Sequence, residues 1–380
     1  MYVFACTFLL VFQAVLDSRQ IGQHDFIEYW SSGRLALQHK NPYDSHAIAA
    51  LEGPANPLLG TRALIMGNPP WTLPLLVPFA RPPLFAGFVL WFCLSGISLF
   101  WSVRMIGRLN NKQASMLDLL GYTFAPALVC LATGQMTILL LVGVVGFFLF
   151  HRTRPVLAGA CLWLCLLKPH LFLPFACVLV LWIISRKRYS VLGGIFGAGL
   201  LTSVAAMWFD PHVWGHYFAM MRTERLDLIQ LPCLSIVLRQ AFAPHVPWIQ
   251  WVPVCAGSIW AVYFFITRKE DWNWIQHGPV LILVSMVVAP YTWLTDQTIA
   301  LPALLYAVYR TRSRVAIGVL ALGNAAVELA LFNKQSPLFS RVAGLSSLFW
   351  LAWYLVTVRH RTIDNELPAR DCADLAGPNS

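Results

Sequence analysis

The residues able to do chemistry are few and fall in short stretches. The first stretch is Gln23-His24-Asp25-Phe26-Ile27-Glu28-Tyr29-Trp30. A carboxylate in a concave, partly dry site works as a general base when its pKa suits the task. Asp25, beside His24 and three residues before Glu28, has that option. It also has a structural one, since Asp followed three residues later by Glu resembles a helix-capping pattern. The second stretch is Lys168-Pro169-His170. Lys168 interrupts a mostly apolar run, where an ionisable group is expensive and usually faces a cavity or a partner. An ammonium is a compact point charge with three donors and suits a phosphate, with His170 as helper. The alternative is a turn residue whose stem snorkels to the interface.

The remaining polar stretches are weaker signals. Gly134-Gln135 forms a very short turn between apolar runs. The Gln135 amide suits a sugar or a phosphate, and Gly134 alone reads as a helix C-cap. Asn41-Pro42-Tyr43-Asp44 and Asn68-Pro69-Pro70-Trp71 carry turn chemistry, because Pro fixes φ and Asn favours turns. Asp210-Pro211-His212, Trp214 and Tyr217 follow, and Trp293 with Asp296 and Gln297 comes last. Trp214, Tyr217 and Trp293 can stack on a sugar ring. Interfacial anchoring is the commoner role of such residues in a chain with 16 Trp.

What must position these residues is a set of apolar helices. The chain has 380 residues, 58% hydrophobic and 12% charged, with mean hydropathy +0.63. A soluble domain carries roughly a quarter charged residues, so an ordinary cytosolic enzyme is excluded. Disorder is excluded too, since it needs low hydrophobicity and high net charge. The class is an all-α polytopic membrane protein. Apolar segments fall at about 1–16, 84–103, 117–132, 137–150, 155–167, 171–184, 190–208, 250–267, 277–290, 298–309, 315–332 and 341–358. That predicts about twelve transmembrane helices. Residues 1–16 lack a basic n-region and a small-residue cleavage site, which argues against a cleaved signal peptide and for a short first span. Residues 1–364 read as one transmembrane domain, with long outer segments at about 17–83 and 209–249. Residues 365–380 read as a polar, disordered cytoplasmic tail.

The net charge of +10 comes from 27 Lys and Arg against 17 Asp and Glu. In a membrane protein that excess belongs to cytoplasmic loops rather than to nucleic acid. With the N-terminus cytoplasmic, Arg104/Arg108/Lys112, Arg152/Arg154, Arg186/Lys187/Arg188, Arg268/Lys269, Arg310/Arg312/Arg314 and Arg359/Arg361 all fall inside. This holds only if residues 155–184 form two short helices broken at Lys168-Pro169-His170. The polar stretches then converge at the outer face. In the first outer segment, Tyr29, Trp30, Leu35, Leu37 and Ile48 predict short helices lying on or near the membrane surface. Residues 72–80 predict a re-entrant piece. The 9 cysteines, mostly in apolar runs, read as small buried side chains. There is no Walker loop, G-x-G-x-x-G, H-E-x-x-H or G-x-S-x-G motif. An enzyme of this composition would receive its energy in an activated, membrane-borne substrate.

The order and spacing of these stretches resemble glycosyltransferase family 87, long labelled domain of unknown function 2029. The resembling pieces are His24-Asp25-Phe26 with Tyr29-Trp30, Asn41-Pro42-Tyr43-Asp44, Asn68-Pro69-Pro70, Gly134-Gln135, Leu167-Lys168-Pro169-His170 and Leu234-Ser235-Ile236-Val237-Leu238-Arg239. His170 is a departure, since relatives often carry a different polar residue there. The resemblance implies a GT-C fold and an active site on the non-cytoplasmic side of the plasma or inner membrane. It also implies a polyprenyl-phosphate-linked sugar donor, as in polyprenol-phosphate-mannose-dependent mannosyltransferases of the cell envelope. Asp25 matches the first-loop Asp that serves as base in such enzymes.

On that scheme Asp25 deprotonates a lipid or glycan acceptor, and polyprenyl phosphate leaves from the opposite face of the sugar with inversion. Lys168, His170 and more weakly Arg239 cradle the phosphate. His24, Glu28, Tyr43, Asp44, Asn68, Gln135, Trp214 and Tyr217 are the candidate substrate contacts. No cofactor is required, and Asp25, Glu28 and Asp44 leave a divalent metal open. The competing reading is a transporter or lipid-linked-sugar flippase with Lys168 as its coupling site. A third is a lipid-binding protein that kept the fold without the activity.

Overall fold

The computed structural model describes residues 25–53, 63–223, 233–331 and 337–366, and every regular element among them is helical. Helix α1 (Phe26–Leu37) is followed by α2 (Ser45–Glu52) and, after a 3-10 turn at Pro70–Thr72, by α3 (Leu73–Ala80). The long α4 (Leu84–Leu109) leads to the bent pair α5 (Leu119–Tyr122) and α6 (Ala125–Thr133). Then come α7 (Thr137–Phe150), α8 (Pro155–Trp163), α9 (Leu173–Arg186), α10 (Ser190–Phe209) and α11 (Val213–Thr223). The last third holds α12 (Leu234–Phe242), α13 (Val252–Ile266), α14 (Trp274–Val287), α15 (Leu301–Arg310), α16 (Arg314–Leu331) and α17 (Pro337–Glu366). Proline at the first or second position opens α3, α6, α8, α9, α13 and α15. Its missing N–H is one that a helix start leaves unpaired anyway.

Among the described residues, five helical stretches are long and apolar enough to cross a bilayer: Leu84–Leu109, Pro169–Arg186, Ser190–Phe209, Pro247–Ile266 and Arg314–Leu331. The pair Met116–Tyr122 and Ala125–Thr133, bent by 46°, makes a sixth if counted as one. About twelve were expected, and the difference has a physical reason. Most of the other apolar runs among the described residues form short helices, and some are apolar because protein surrounds them. Helix α7 is apolar on every face and buried over almost its whole length. At 1.5 Å per residue its 14 residues span about 21 Å, short of the ~30 Å hydrocarbon core. Helix α10 is the opposite case. It buries only Val191, Gly194 and Ala206 and exposes Phe196, Leu200, Leu201, Val204 and Trp208, the surface a lipid-facing helix presents. It meets α8 through glycines. A Cβ on Gly159 would lie 2.0 Å from the Val191 carbonyl oxygen, and one on Gly194 would lie 2.0 Å from that of Val156. Such small-residue approach is the usual packing device between membrane helices.

The segment expected at the outer face does form the short helices α1 and α2, and they pack on protein. Tyr29, Leu35 and Ile48 are fully buried against the protein. The Trp30 indole N–H donates to the Pro82 carbonyl at 3.0 Å, and the Arg34 guanidinium reaches the Arg81 carbonyl at 3.1 Å, tying α1 to the end of α3. Residues 72–80, expected as a re-entrant piece, form the end of the 3-10 turn and α3, with Leu73, Leu76 and Ala80 buried. The expected span at 1–16 and most of the tail lie outside the described residues, while α17 continues through Glu366.

The break at Lys168 is present, with 3-10 turns at Leu164–Leu167 and Pro169–Phe172 on either side. Helices α7, α9, α13 and α15 therefore all begin near Gln135, Lys168, Gln250 and Asp296, and run away toward Arg152, Arg186, Arg268 and Arg310. The uncommon polar residues and the basic clusters lie at opposite ends of the same helices.

Candidate active site

Asp25 sits at the N-cap position of α1, but its carboxylate accepts no capping hydrogen bond. Only its backbone carbonyl takes part, accepting the Glu28 N–H at 3.2 Å. The side chain instead lines a cavity of about 860 Å³, together with Glu28 and Tyr29 one turn on. Burial raises the Asp25 carboxyl above its ordinary range, while Gln135 and the Lys168 charge act in the other direction. Burial, reinforced by the Asp25 charge, lifts Glu28 well above its ordinary range. Two carboxyls one helical turn apart thus serve different chemistry. Asp25 suits a proton acceptor, and Glu28 suits a neutral group that donates a hydrogen bond.

Gly134 places Gln135 at the cavity floor. It ends α6 in the left-handed conformation, with φ of +75°, and a Cβ there would lie 2.6 Å from Phe26 Cβ. Its carbonyl accepts the Trp91 indole N–H at 2.7 Å. The helix-cap reading of Gly134 and the site reading of Gln135 both hold. Gln135 Oε1 accepts from the Tyr29 hydroxyl at 2.9 Å and from Lys168 Nζ at 3.1 Å. The residue before a proline avoids the α region, and Lys168 adopts φ −139°, ψ 71°. Its side chain then crosses to Asp296, where Nζ donates to Oδ1 at 2.7 Å. Asp296 also accepts from Thr137 Oγ1 at 3.0 Å and from the Trp293 N–H at 2.9 Å. The buried ion pair is therefore supported by further hydrogen bonds, which a charge in such a place requires.

The walls come from several segments. His170 stacks on Tyr291 with ring centroids 4.0 Å apart, and its Nε2 is buried with no partner among the described residues. Asn68 lies on the wall and donates from Nδ2 to the Leu167 carbonyl at 2.7 Å. Tyr217, Met221 and Arg222 of α11 close one side; Gln250, Trp251, Tyr291 and Trp293 close another.

Of the expected site residues, Asp25, Glu28, Asn68, Gln135, Lys168, His170 and Tyr217 line the cavity. Four do not. Tyr43 stands behind the wall and donates to the Asn68 carbonyl at 2.9 Å. Asp44 caps α2, accepting the His46 and Ala47 N–H groups, so the acidic trio Asp25, Glu28 and Asp44 does not meet. Trp214 packs edge-on against Trp71, 5.2 Å between centroids, and against Tyr217. Arg239 is buried one layer out and donates to Gln250 Oε1 at 2.9 Å. His24 lies outside the described residues. Among these residues no group of three or more His, Cys, Asp or Glu could hold a metal. Arg222, Gln250 and Tyr291 were missing from the expected set, and Asp296, named among the converging polar residues, had no role assigned to it. A sign of Asp296 was present, because a carboxylate beside an apolar run needs a cation, and Lys168 needed an anion.

No curated protein and no solved structure gives a match to this chain. The profile of glycosyltransferase family 87 does, over residues 67–322. The matched stretch holds Asn68, Gln135, Lys168, His170 and Asp296, while Asp25 and Glu28 precede it. It covers more than half of the chain, whose described residues form helices alone, several of them of membrane length, and the chain accordingly belongs to glycosyltransferase family 87, a family of membrane glycosyltransferases.

Proposed function

We propose that this protein transfers a hexose, with mannose favoured, from a polyprenyl-phosphate-linked donor to a lipid or glycan acceptor, as a GT-C-type enzyme. The observation that carries the reading is Asp25, whose carboxylate makes no capping hydrogen bond and which lines the cavity with Glu28, Gln135 and Lys168. Cavities of roughly 300–1,000 Å³ hold small-molecule ligands, so this one has room for reacting groups. Basic clusters collect on the cytoplasmic side. The opposite, cavity-bearing helix ends then face the non-cytoplasmic side of the plasma or inner membrane.

Asp25 takes the proton of the acceptor hydroxyl as its oxygen forms a bond to the anomeric carbon. The bond from that carbon to the phosphate oxygen breaks, and its electron pair leaves with the polyprenyl phosphate. Attack and departure on opposite faces invert the configuration. His170 stacks on Tyr291 in the wall, and Lys168 holds Gln135 in place beneath the reacting groups. Glu28 as a neutral acid, Asn68 and Tyr217 supply further polar contacts to the sugars. The scheme needs no cofactor.

The test is transfer of label from a panel of polyprenyl-phosphate sugars to a lipid extract, with wild type and Asp25→Asn in nanodiscs. Removing a general base costs about 10²–10⁴-fold in rate. The expected outcome is transfer with one sugar, reduced by that order in Asp25→Asn while donor binding persists. Full activity in Asp25→Asn would remove the base assignment, and counterflow of labelled substrate without transfer would favour a transporter.

A further inference from the structure

The reaction sets a charge problem that the cavity floor does not solve. A polyprenyl-phosphate sugar is a phosphodiester with one negative charge. When the anomeric bond breaks, the departing monoester approaches two, since its second pKa is near 6. The added charge calls for a cation that is not already matched. Lys168 is matched by Asp296 at 2.7 Å, and Asp25 and Glu28 line the same space.

The cavity has a second cation. Arg222, in the last turn of α11, lines it, is exposed, and its guanidinium makes no ion pair or hydrogen bond with any described residue. Apolar groups that face outward surround it. Met221 is 40% exposed, Trp251 45% and Trp293 44%, and all three line the cavity. Phe218, one turn back on α11, is exposed as well. A planar guanidinium at the mouth, flanked by exposed apolar side chains, matches an amphipathic ligand with an anionic head and a long hydrocarbon tail. A free inorganic anion would use the guanidinium but not the apolar rim.

We infer that Arg222 receives the phosphate of the lipid-linked donor at the cavity mouth, and that the isoprenoid chain leaves over Met221, Trp251 and Trp293 toward the bilayer. The inference rests on the polyprenyl-phosphate reading above. It puts the sugar between Arg222 and the carboxyls of α1, with the anomeric carbon facing Asp25 and the leaving oxygen facing outward. Arg239 has no direct part in it, because Gln250 stands between Arg239 and the cavity.

The test measures binding of polyprenyl monophosphate and of the uncharged polyprenol of the same length to wild type, Arg222→Gln and Arg222→Lys in nanodiscs. A charge-assisted, two-point contact is worth about tenfold or more in affinity. Arg222→Gln is expected to weaken the phosphate ligand by about that factor and to leave polyprenol unchanged. Arg222→Lys keeps the charge without the fork and should fall between. Unchanged polyprenyl monophosphate binding in Arg222→Gln overturns the inference alone. Equal weakening of both ligands also overturns it, because the loss would then belong to the rim and not to the charge. If wild type binds neither ligand, the donor reading itself fails and the inference with it.

Discussion

A carboxylate at the start of a helix ordinarily answers to that helix, and Asp25 does not. Its raised pKa sets the sign of a pH effect. A base must be ionised to work, so the rate should fall as pH drops through a value above the ordinary aspartate range of about 4. Lys168 acts to lower that value, and Lys168→Met should therefore move the acid limb of kcat/KM to higher pH. Lys168→Met also leaves Asp296 buried and unpaired, at a cost of about 3–5 kcal/mol. The double variant with Asp296→Asn should recover part of that loss. Denaturation of the two variants in the same detergent, beside the pH profile, separates the effects. An unmoved acid limb would detach Lys168 from the base. Lys168 was conspicuous in sequence as an ion inside an apolar run. Its partner lies 128 residues away, and no local pattern reports a contact at that separation. The same limit explains Asp44, Tyr43 and Arg239. Their residue types fit a site, and only the tertiary arrangement assigns them to a cap, a back wall and a second layer.

The elements that hold the site are short and end abruptly, and their ends were the legible part. Gly-Gln and Lys-Pro-His break the apolar pattern for reasons of backbone geometry, and both breaks sit on the cavity. Gly134→Ala tests the first. A non-glycine residue in the left-handed region costs roughly 1–2 kcal/mol, and the new methyl would press on Phe26, the first residue of α1. Lower thermal stability and lower activity are expected together, because the substitution displaces Gln135 and α1 at once. Normal activity at reduced stability would show that α1 does not depend on the Gly134 contact. Span number was less legible. Composition cannot distinguish a run that is apolar because lipid covers it, as in α10, from one that is apolar because protein does, as in α7.

For the molecule as a whole, stability carries its own pH dependence. Glu52 of α2 is fully buried and accepts the Leu64 N–H at 2.8 Å, which fixes the segment leading to Asn68. Burial pushes its carboxyl up to about 7 from 4.5. The stability it contributes is complete below the unfolded value and is lost as pH rises through the folded one. Between pH 5 and pH 8 the loss is about 2–3 kcal/mol. Glu52→Gln keeps an acceptor without the charge. It should match wild type near pH 5 and exceed it at pH 8 in thermal unfolding, and equal pH dependence in the two proteins would refute the assignment.

The placement of basic clusters and cavity residues at opposite ends of α7, α9, α13 and α15 has a consequence for biosynthesis. If the arginines set which side of the bilayer these helix ends face, they also set which side receives Gln135, Lys168, Gln250 and Asp296. A helix inserted upside down would take its share of the site with it and leave Lys168 or Asp296 without the other. The Lys168–Asp296 ion pair needs both residues on one side, so it closes only in a chain that brings the starts of α9 and α15 to the same face.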